Sequence, residues 1–292
     1  MLWDFDPHGL ADLDKASLMN RVDTKFVIPT AHLPEMLRRL QDHFSILEIS
    51  GKRCFHYQST YYDTPDYLFY NMHHNRRLNR FKVRVRNYVD SDLSFLEVKF
   101  KNNKGRTVKN RIKLREGMSD RVQDHELFLQ EQRVPDISSL VPALENQYYR
   151  IALASEARAE RLTIDLNLTN QPLPAWREPV QQTAFAVLEL KQARINRSSP
   201  FFAVAKDLRL RSSGFSKYCM GLALSGDVES VKYNRFKPII HRLKRNCVIN
   251  TGVPLISTSV PSTGALVQPT STFVSSTNAF VASTNNFVPS TP

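Results

Sequence analysis

The chain has 292 residues, with 40 Lys and Arg against 28 Asp and Glu and a formal net charge of +12. That excess calls for an anionic partner: nucleic acid, a phosphate ligand or an anionic membrane. There is no uncharged apolar run of about 18 residues, so no spanning helix is expected. Cys54, Cys219 and Cys247 are too scattered for a disulfide framework or a zinc site.

The opening stretch, Met1 to Pro7, is acidic and has no apolar core, so no signal peptide is expected and a cytoplasmic location follows. Arg21-Val22-Asp23-Thr24-Lys25-Phe26 has the alternation of a short strand. Leu33, Leu37, Leu40 and Phe44 have the spacing of one helix face over 33–44, with Thr30 available as a cap. Tyr61-Tyr62 followed by Asp63-Thr64-Pro65-Asp66 reads as a strand end and a turn. Strict alternation marks strands at Phe81–Arg86, Phe95–Lys101, Val108–Leu114, Arg161–Leu166 and Val187–Lys191. Helices are expected over 138–156, 200–210 and 216–224, the last carrying Cys219 as a core thiol. The run His241-Arg242-Leu243-Lys244-Arg245 reads as a solvated helix end.

A second composition begins at Asn246. From there to Pro292 no residue is charged, and Leu266-Val267, Phe273-Val274, Phe280-Val281 and Phe287-Val288 recur every seven residues among Ser and Thr. Too little apolar surface is present to offset ordering entropy, so a disordered tail is expected over 246–292. The domain is then 1–245, and all of the charge belongs to it.

In a strand, alternate residues face opposite sides of the sheet. Each predicted strand therefore has one apolar and one charged face, which suggests an antiparallel sheet or barrel covered by helices in an α+β fold. The charged faces are nearly one-signed: Lys82-Arg84-Arg86, Lys99-Lys101 and Lys109-Arg111-Lys113. Two such charges about 6 Å apart repel by roughly 3 kcal/mol at an effective dielectric near 20. A concave basic face is stable only if a polyanion occupies it part of the time. Glu97, Asp165 and Glu189 are the inward carboxylates expected among the bases. Few carboxylates amid many cations suit metal-assisted phosphate chemistry, because phosphoryl transfer needs positioning and charge neutralisation. With only 9 glycines and no Walker-type loop, side chains rather than backbone must grip the phosphates. A role in binding RNA ranks last, since the predicted strands carry no aromatic platforms on which bases could stack.

Taken together, the segments resemble the VTC domain, the polyphosphate polymerase domain of the vacuolar transporter chaperone complex, within the triphosphate tunnel (CYTH-like) superfamily. The matching pieces run in order from Arg21-Val22-Asp23-Thr24-Lys25 through Ser59–Thr64, Lys82–Arg86, Phe95–Lys99, Val108–Arg111, Tyr148-Tyr149-Arg150, Arg161–Asp165 and Ala186–Lys191 to Phe215-Ser216-Lys217-Tyr218. The resemblance implies a closed eight-stranded antiparallel β-barrel, open at both ends, with flanking helices. It implies transfer of the ATP γ-phosphate onto growing inorganic polyphosphate, with Mn²⁺ or Mg²⁺ as cofactor. By position, Lys25, His73, Lys82, Arg84, Arg86, Lys99, Lys109, Arg111, Arg150, Arg161 and Lys217 look like phosphate-gripping residues. Arg84, Arg86, Lys99 and Glu189 look like the catalytic set, and Glu189 like the metal-holding carboxylate. His73 falls where the eukaryotic domain has Arg. The hydrolytic branch opens with Glu-x-Glu-x-Lys; here those positions read Arg21, Asp23 and Lys25, which favours the polymerase-like branch. A triphosphatase of the same fold and a non-catalytic polyphosphate-binding module are the alternatives. Coupling to export, if any, would fall to a membrane-protein partner.

Overall fold

Each alternating segment forms a strand, because one side of it can be buried while the other stays polar. The computed structural model describes residues 1–15, 21–115, 121–174, 179–225 and 231–247. The strands are β1 Pro7–His8, β2 Val22–Pro29, β3 Ser45–Leu47, β4 Phe55–Asp63, β5 Arg80–Tyr88, β6 Leu93–Lys101, β7 Thr107–Leu114, β8 Val141–Ser155, β9 Glu160–Pro172, β10 Val180–Gln182 and β11 Phe185–Gln192. The helices are α1 Leu10–Lys15, α2 Leu33–Leu40, α3 Leu68–His74, α4 Glu126–Glu131, α5 Pro200–Asp207, α6 Lys217–Leu224 and α7 Lys237–Cys247. None of them is long and apolar enough to cross a membrane. The expected tail lies outside the described residues, apart from Asn246 and Cys247 at the end of α7.

Eight strands form one antiparallel path in the order β2-β11-β9-β8-β4-β5-β6-β7. The expected closed barrel does not form: β2 and β7 end the path and do not pair with each other. The free edge of β2 is already in use. Phe26 bridges Ser212, and the Ser213 N–H donates to the Lys25 carbonyl at 2.7 Å. β7 has no second partner among the described strands, and its residues are exposed from Thr107 to Arg111.

Three apolar clusters fix the sheet. On the outer face, Phe26, Ile28, Ile151, Leu153, Leu162, Ile164, Leu188 and Leu190 pack against α2 and α5. Farther along, Val83, Val85, Leu96 and Val98 pack against Phe69 of α3 and Leu129 of α4. On the inner face α6 seats Tyr218, Met220 and Leu222 against Tyr61, Leu144, Tyr148, Leu168, Phe185 and Val187.

Two local expectations are corrected. Residues 138–156 are not a helix; most of the segment is the 15-residue strand β8. Leu140, Leu144, Tyr148 and Ile151 mimic helical spacing, but Leu144 and Tyr148 face α6 whereas Ile151 and Leu153 face α2 and α5. Thr30 does not cap α2. It lies in a 3-10 turn, Thr30–His32, where its N–H donates to the Ala184 carbonyl at 3.0 Å; the helix ends at Leu40, and Phe44 joins its core from the following turn.

The approach of α6 depends on Gly221. A Cβ there would lie 2.5 Å from Leu144 Cδ2 and 2.7 Å from Asn170 Oδ1. Gly221→Ala should therefore destabilise by about 1–3 kcal/mol through overpacking, overriding the roughly 1 kcal/mol that alanine gains in a helix. Urea unfolding checks this; a stabilised variant would mean that α6 sits farther from the sheet.

Candidate polyanion-binding face

Directly opposed residues of an antiparallel ladder share a face. The register therefore sorts the charged side chains into rows on the inner face. Lys82, Lys99 and Lys109 form one row across β5, β6 and β7; Arg84, Glu97 and Arg111 form the next; Arg86, Phe95 and Lys113 the third. On the other limb, Lys25, Glu189 and Thr163 align across β2, β11 and β9, with Asp23, Lys191 and Arg161 beside them. Arg150 of β8 lies opposite Asp165. The two limbs sense each other: Lys99 and Lys217 both depress the Lys25 ammonium.

Three inward carboxylates are held between cations, whereas Asp23 stays exposed and, among the described residues, pairs with Arg21 alone at 3.1 Å. Glu97, 2 % exposed, accepts from Arg84 Nε at 2.7 Å and from Lys109 Nζ at 2.6 Å. Asp165, also 2 % exposed, takes a two-pronged grip from Arg150, Nε at 2.6 Å and Nη2 at 2.9 Å, and a further bond from Lys217. Glu189 pairs with Lys25 and, at 2.7 Å, with Lys191. Burial opposes ionisation of Glu97, but Arg84, Arg86 and Lys109 outweigh it and hold its carboxyl at about 2. Arg150 and Lys217 likewise hold Asp165 well below the usual carboxylate range despite burial.

The lysines carry the cost of this crowding. Burial, then the neighbouring ammoniums of Lys217, Lys191 and Lys99, pulls Lys25 down to about 6. Burial and Arg150 bring Lys191 to about 7. Desolvation beside the rest of the face brings Lys99 and Lys109, both still open to solvent, to about 8, with Lys82 adding to the effect at Lys99. A bound polyanion restores the charged forms, so binding takes up protons. Affinity for tripolyphosphate should fall as pH rises through the window from about 6 to 8, by up to about tenfold per unit for each proton taken up. Calorimetry in buffers of different ionisation enthalpy reads the uptake directly; proton release on binding would contradict it.

Every residue singled out in the sequence has a definite place. Lys25, Lys82, Arg84, Arg86, Lys99, Lys109, Arg150, Arg161, Lys217 and Glu189 all belong to inner-face rows or to α6 facing them. Lys82 Nζ donates to Ser216 Oγ at 2.8 Å, just before α6. Arg86 Nε donates to Ser59 Oγ at 3.3 Å. Arg111 stands apart: it is exposed on edge strand β7, stacked 4.5 Å from the Phe95 ring centroid. His73, on α3, is held neutral, since burial and then Lys82, Arg80, Arg235 and Lys101 pull its imidazole down to about 2. Asp63 is a helix cap: its carboxylate accepts the N–H groups of Thr64, Phe69 and Tyr70 at 2.8–2.9 Å and the Tyr218 hydroxyl at 2.5 Å.

Sequence reading missed Lys191 and the aromatic lining. Lys191 alternates with Glu189, so its place on the same face could have been inferred. The strands do carry inward aromatics, contrary to expectation: Tyr57 and Tyr148 stack at 5.3 Å, and Tyr61 stacks on Tyr218 at 5.2 Å. They were hidden because β8 has a helix-like pattern and most of β4 was not recognised as strand. Cations, not bases, occupy their faces. Arg150 lies 5.0 Å from the Tyr57 ring and Lys217 4.4 Å from that of Tyr148.

An α+β protein with a mostly cationic inner sheet face, on which Glu97, Asp165 and Glu189 are each shared between cations, has the charge pattern of an anion-binding sheet. The chain belongs to the VTC-domain family, whose model matches residues 20–225. No curated protein matches it. Among solved structures, a candidate adenylyl cyclase of Hippeastrum described as having a dominant triphosphatase activity is 12% identical, with TM-score 0.46 over 70% of this chain and 96% of that one. A candidate adenylate cyclase of Bacillus halodurans is also 12% identical, with TM-score 0.44 over 68% and 94%. The PH1819 protein of Pyrococcus horikoshii is 14% identical, with TM-score 0.40 over 70% and 98%.

Proposed function

We propose that the chain is a cytoplasmic polyphosphate polymerase that moves the γ-phosphate of ATP onto the end of an inorganic polyphosphate chain. The observation that carries this reading is the excess of buried and half-buried cations over carboxylates on one face, within a VTC domain. A terminal phosphate is already anionic, so attack on the γ-phosphorus needs alignment and charge neutralisation more than a general base. Arg84, oriented by Glu97 and by the Tyr61 hydroxyl at 3.2 Å, offers a planar fork to phosphate oxygens. Arg150, fixed by Asp165, does the same from β8. Lys25, Lys99, Lys109 and Lys217 add point charges. The β–γ bond breaks, ADP leaves with its electron pair, and one new P–O–P linkage forms.

The donor set fits a metal held mostly by phosphate. Among the described residues no cluster of three or more His, Cys, Asp or Glu could hold an ion. Glu97 and Asp165 are clamped by arginines. Glu189 meets the two flexible lysines Lys25 and Lys191, which can swing onto phosphate and free its oxygens. Mn²⁺ or Mg²⁺ held there would neutralise charge on the transferring phosphoryl group.

The test is purified full-length chain with ATP and Mn²⁺, product length being read on a gel. Acid-stable polymer and ADP are expected, and Glu189→Ala should abolish both. Orthophosphate from tripolyphosphate without polymer would select the triphosphatase reading. Arg21 and Asp23, at the positions of the two glutamates of the hydrolytic branch, favour the polymerase.

A further inference from the structure

The basic ladder of β5 does not stop where α6 begins. It continues from Arg86, Arg84 and Lys82 to Arg80, whose ladder partner on β6 is Lys101. The stretch of strand from Arg80 to Arg86 spans roughly 20 Å, so the cations extend past the cluster held by Glu97 to the end of the sheet. There α3 and the turn Asn234–Phe236 complete a rim. Arg235 Nη1 donates to the carbonyls of His73 and His74, both at 3.0 Å, and Arg80 Nη1 donates to the Arg77 carbonyl at 2.7 Å. Arg76 and Arg80 both press on the Arg235 charge, and Lys101, Arg80, Arg235 and Lys82 all act on His73. Among the described residues no carboxylate pairs with Arg80, Lys101 or Arg235, nor with Lys82, Arg86 or Lys99 of the inner rows, whereas Arg84, Lys109, Arg150 and Lys25 deeper in the face each hold one. Half-exposed Arg80 and Lys101 and exposed Arg235 thus form a cationic rim with no internal counter-charge.

We infer that Arg80, Lys101 and Arg235 form a separate phosphate-binding subsite that holds the part of a long polyphosphate chain emerging past α6. The inference rests on the polyphosphate reading and adds a length requirement to it. A short oligomer fills the clamped inner rows alone; only a longer chain reaches the rim. Here the rim sets retention of the growing chain and leaves the reacting end untouched.

The experiment titrates full-length wild type and R80Q/K101Q/R235Q with tripolyphosphate and with a long-chain polyphosphate at several salt concentrations. The triple variant should hold tripolyphosphate within about twofold of wild type and lose about tenfold or more for the long chain, with a shallower salt dependence. Equal loss for both ligands, or no loss for the long chain, overturns the rim. Because Arg80 and Arg235 also bind backbone carbonyls, Lys101→Glu is measured alone. It should weaken long-chain binding selectively, and unchanged long-chain affinity counts against the subsite. If wild type binds neither ligand, the polyphosphate reading itself falls, a result distinct from a wild type that binds both and a variant that behaves like it.

Discussion

Asp165→Asn should lower stability by about 3–5 kcal/mol, the usual cost of removing one partner from a buried ion cluster. The carboxylate accepts both prongs of Arg150 and the Lys217 ammonium in a site that is 2 % exposed. Without it, two cations face each other with no counter-ion, beside the stacked rings of Tyr57 and Tyr148. The sign with pH follows. Asp165 is depressed in the fold, so its contribution is present above the unfolded carboxylate value and is lost as pH falls through the folded one. The same variant should gain more than wild type from added polyphosphate, because the ligand supplies the missing negative charge. Urea unfolding with and without tripolyphosphate measures both effects. A loss under about 1 kcal/mol would show that solvent, not Asp165, neutralises Arg150.

Arg84→Ala should reduce polymer synthesis by about a hundredfold or more, the scale of removing one donor aimed at developing charge. Arg84 is the inner-face cation held by a buried carboxylate on one side and a tyrosine hydroxyl on the other. Arg84→Lys should recover little, since an ammonium cannot occupy both positions of the fork. Lys109 still reaches Glu97 in the alanine variant, so the fold should survive, and circular dichroism separates the two effects. A wild-type rate in folded Arg84→Ala would remove Arg84 from the chemistry.

Much of this arrangement was legible in the sequence because period-2 alternation determines which side chains share a face. Lys82, Arg84 and Arg86 on β5, with Glu97 and Lys99 on β6, were placed by alternation alone. Long-range register was not legible. That Arg150 meets Asp165, or that Lys217 joins them from α6, depends on a strand whose apolar residues imitate a helix. The bulge in the β8–β9 pairing, where Asn167 takes a left-handed φ of 50°, lets Leu166 face outward and Leu168 inward, which no regular alternation predicts. The expected closure fails for a different reason. The resemblance implied a complete barrel, but backbone at Ser212–Ser213 satisfies the β2 edge that β7 would need.

The most direct test of the central claim, that polyphosphate lies on the inner basic face, is lysine acylation near neutral pH read residue by residue by mass spectrometry, with and without tripolyphosphate. Lys25, Lys99, Lys109 and Lys191, whose ammoniums are depressed to about 6–8, should react measurably without ligand and be protected when it is present. Protection confined to lysines off this face such as Lys52, with these four unchanged, would contradict it.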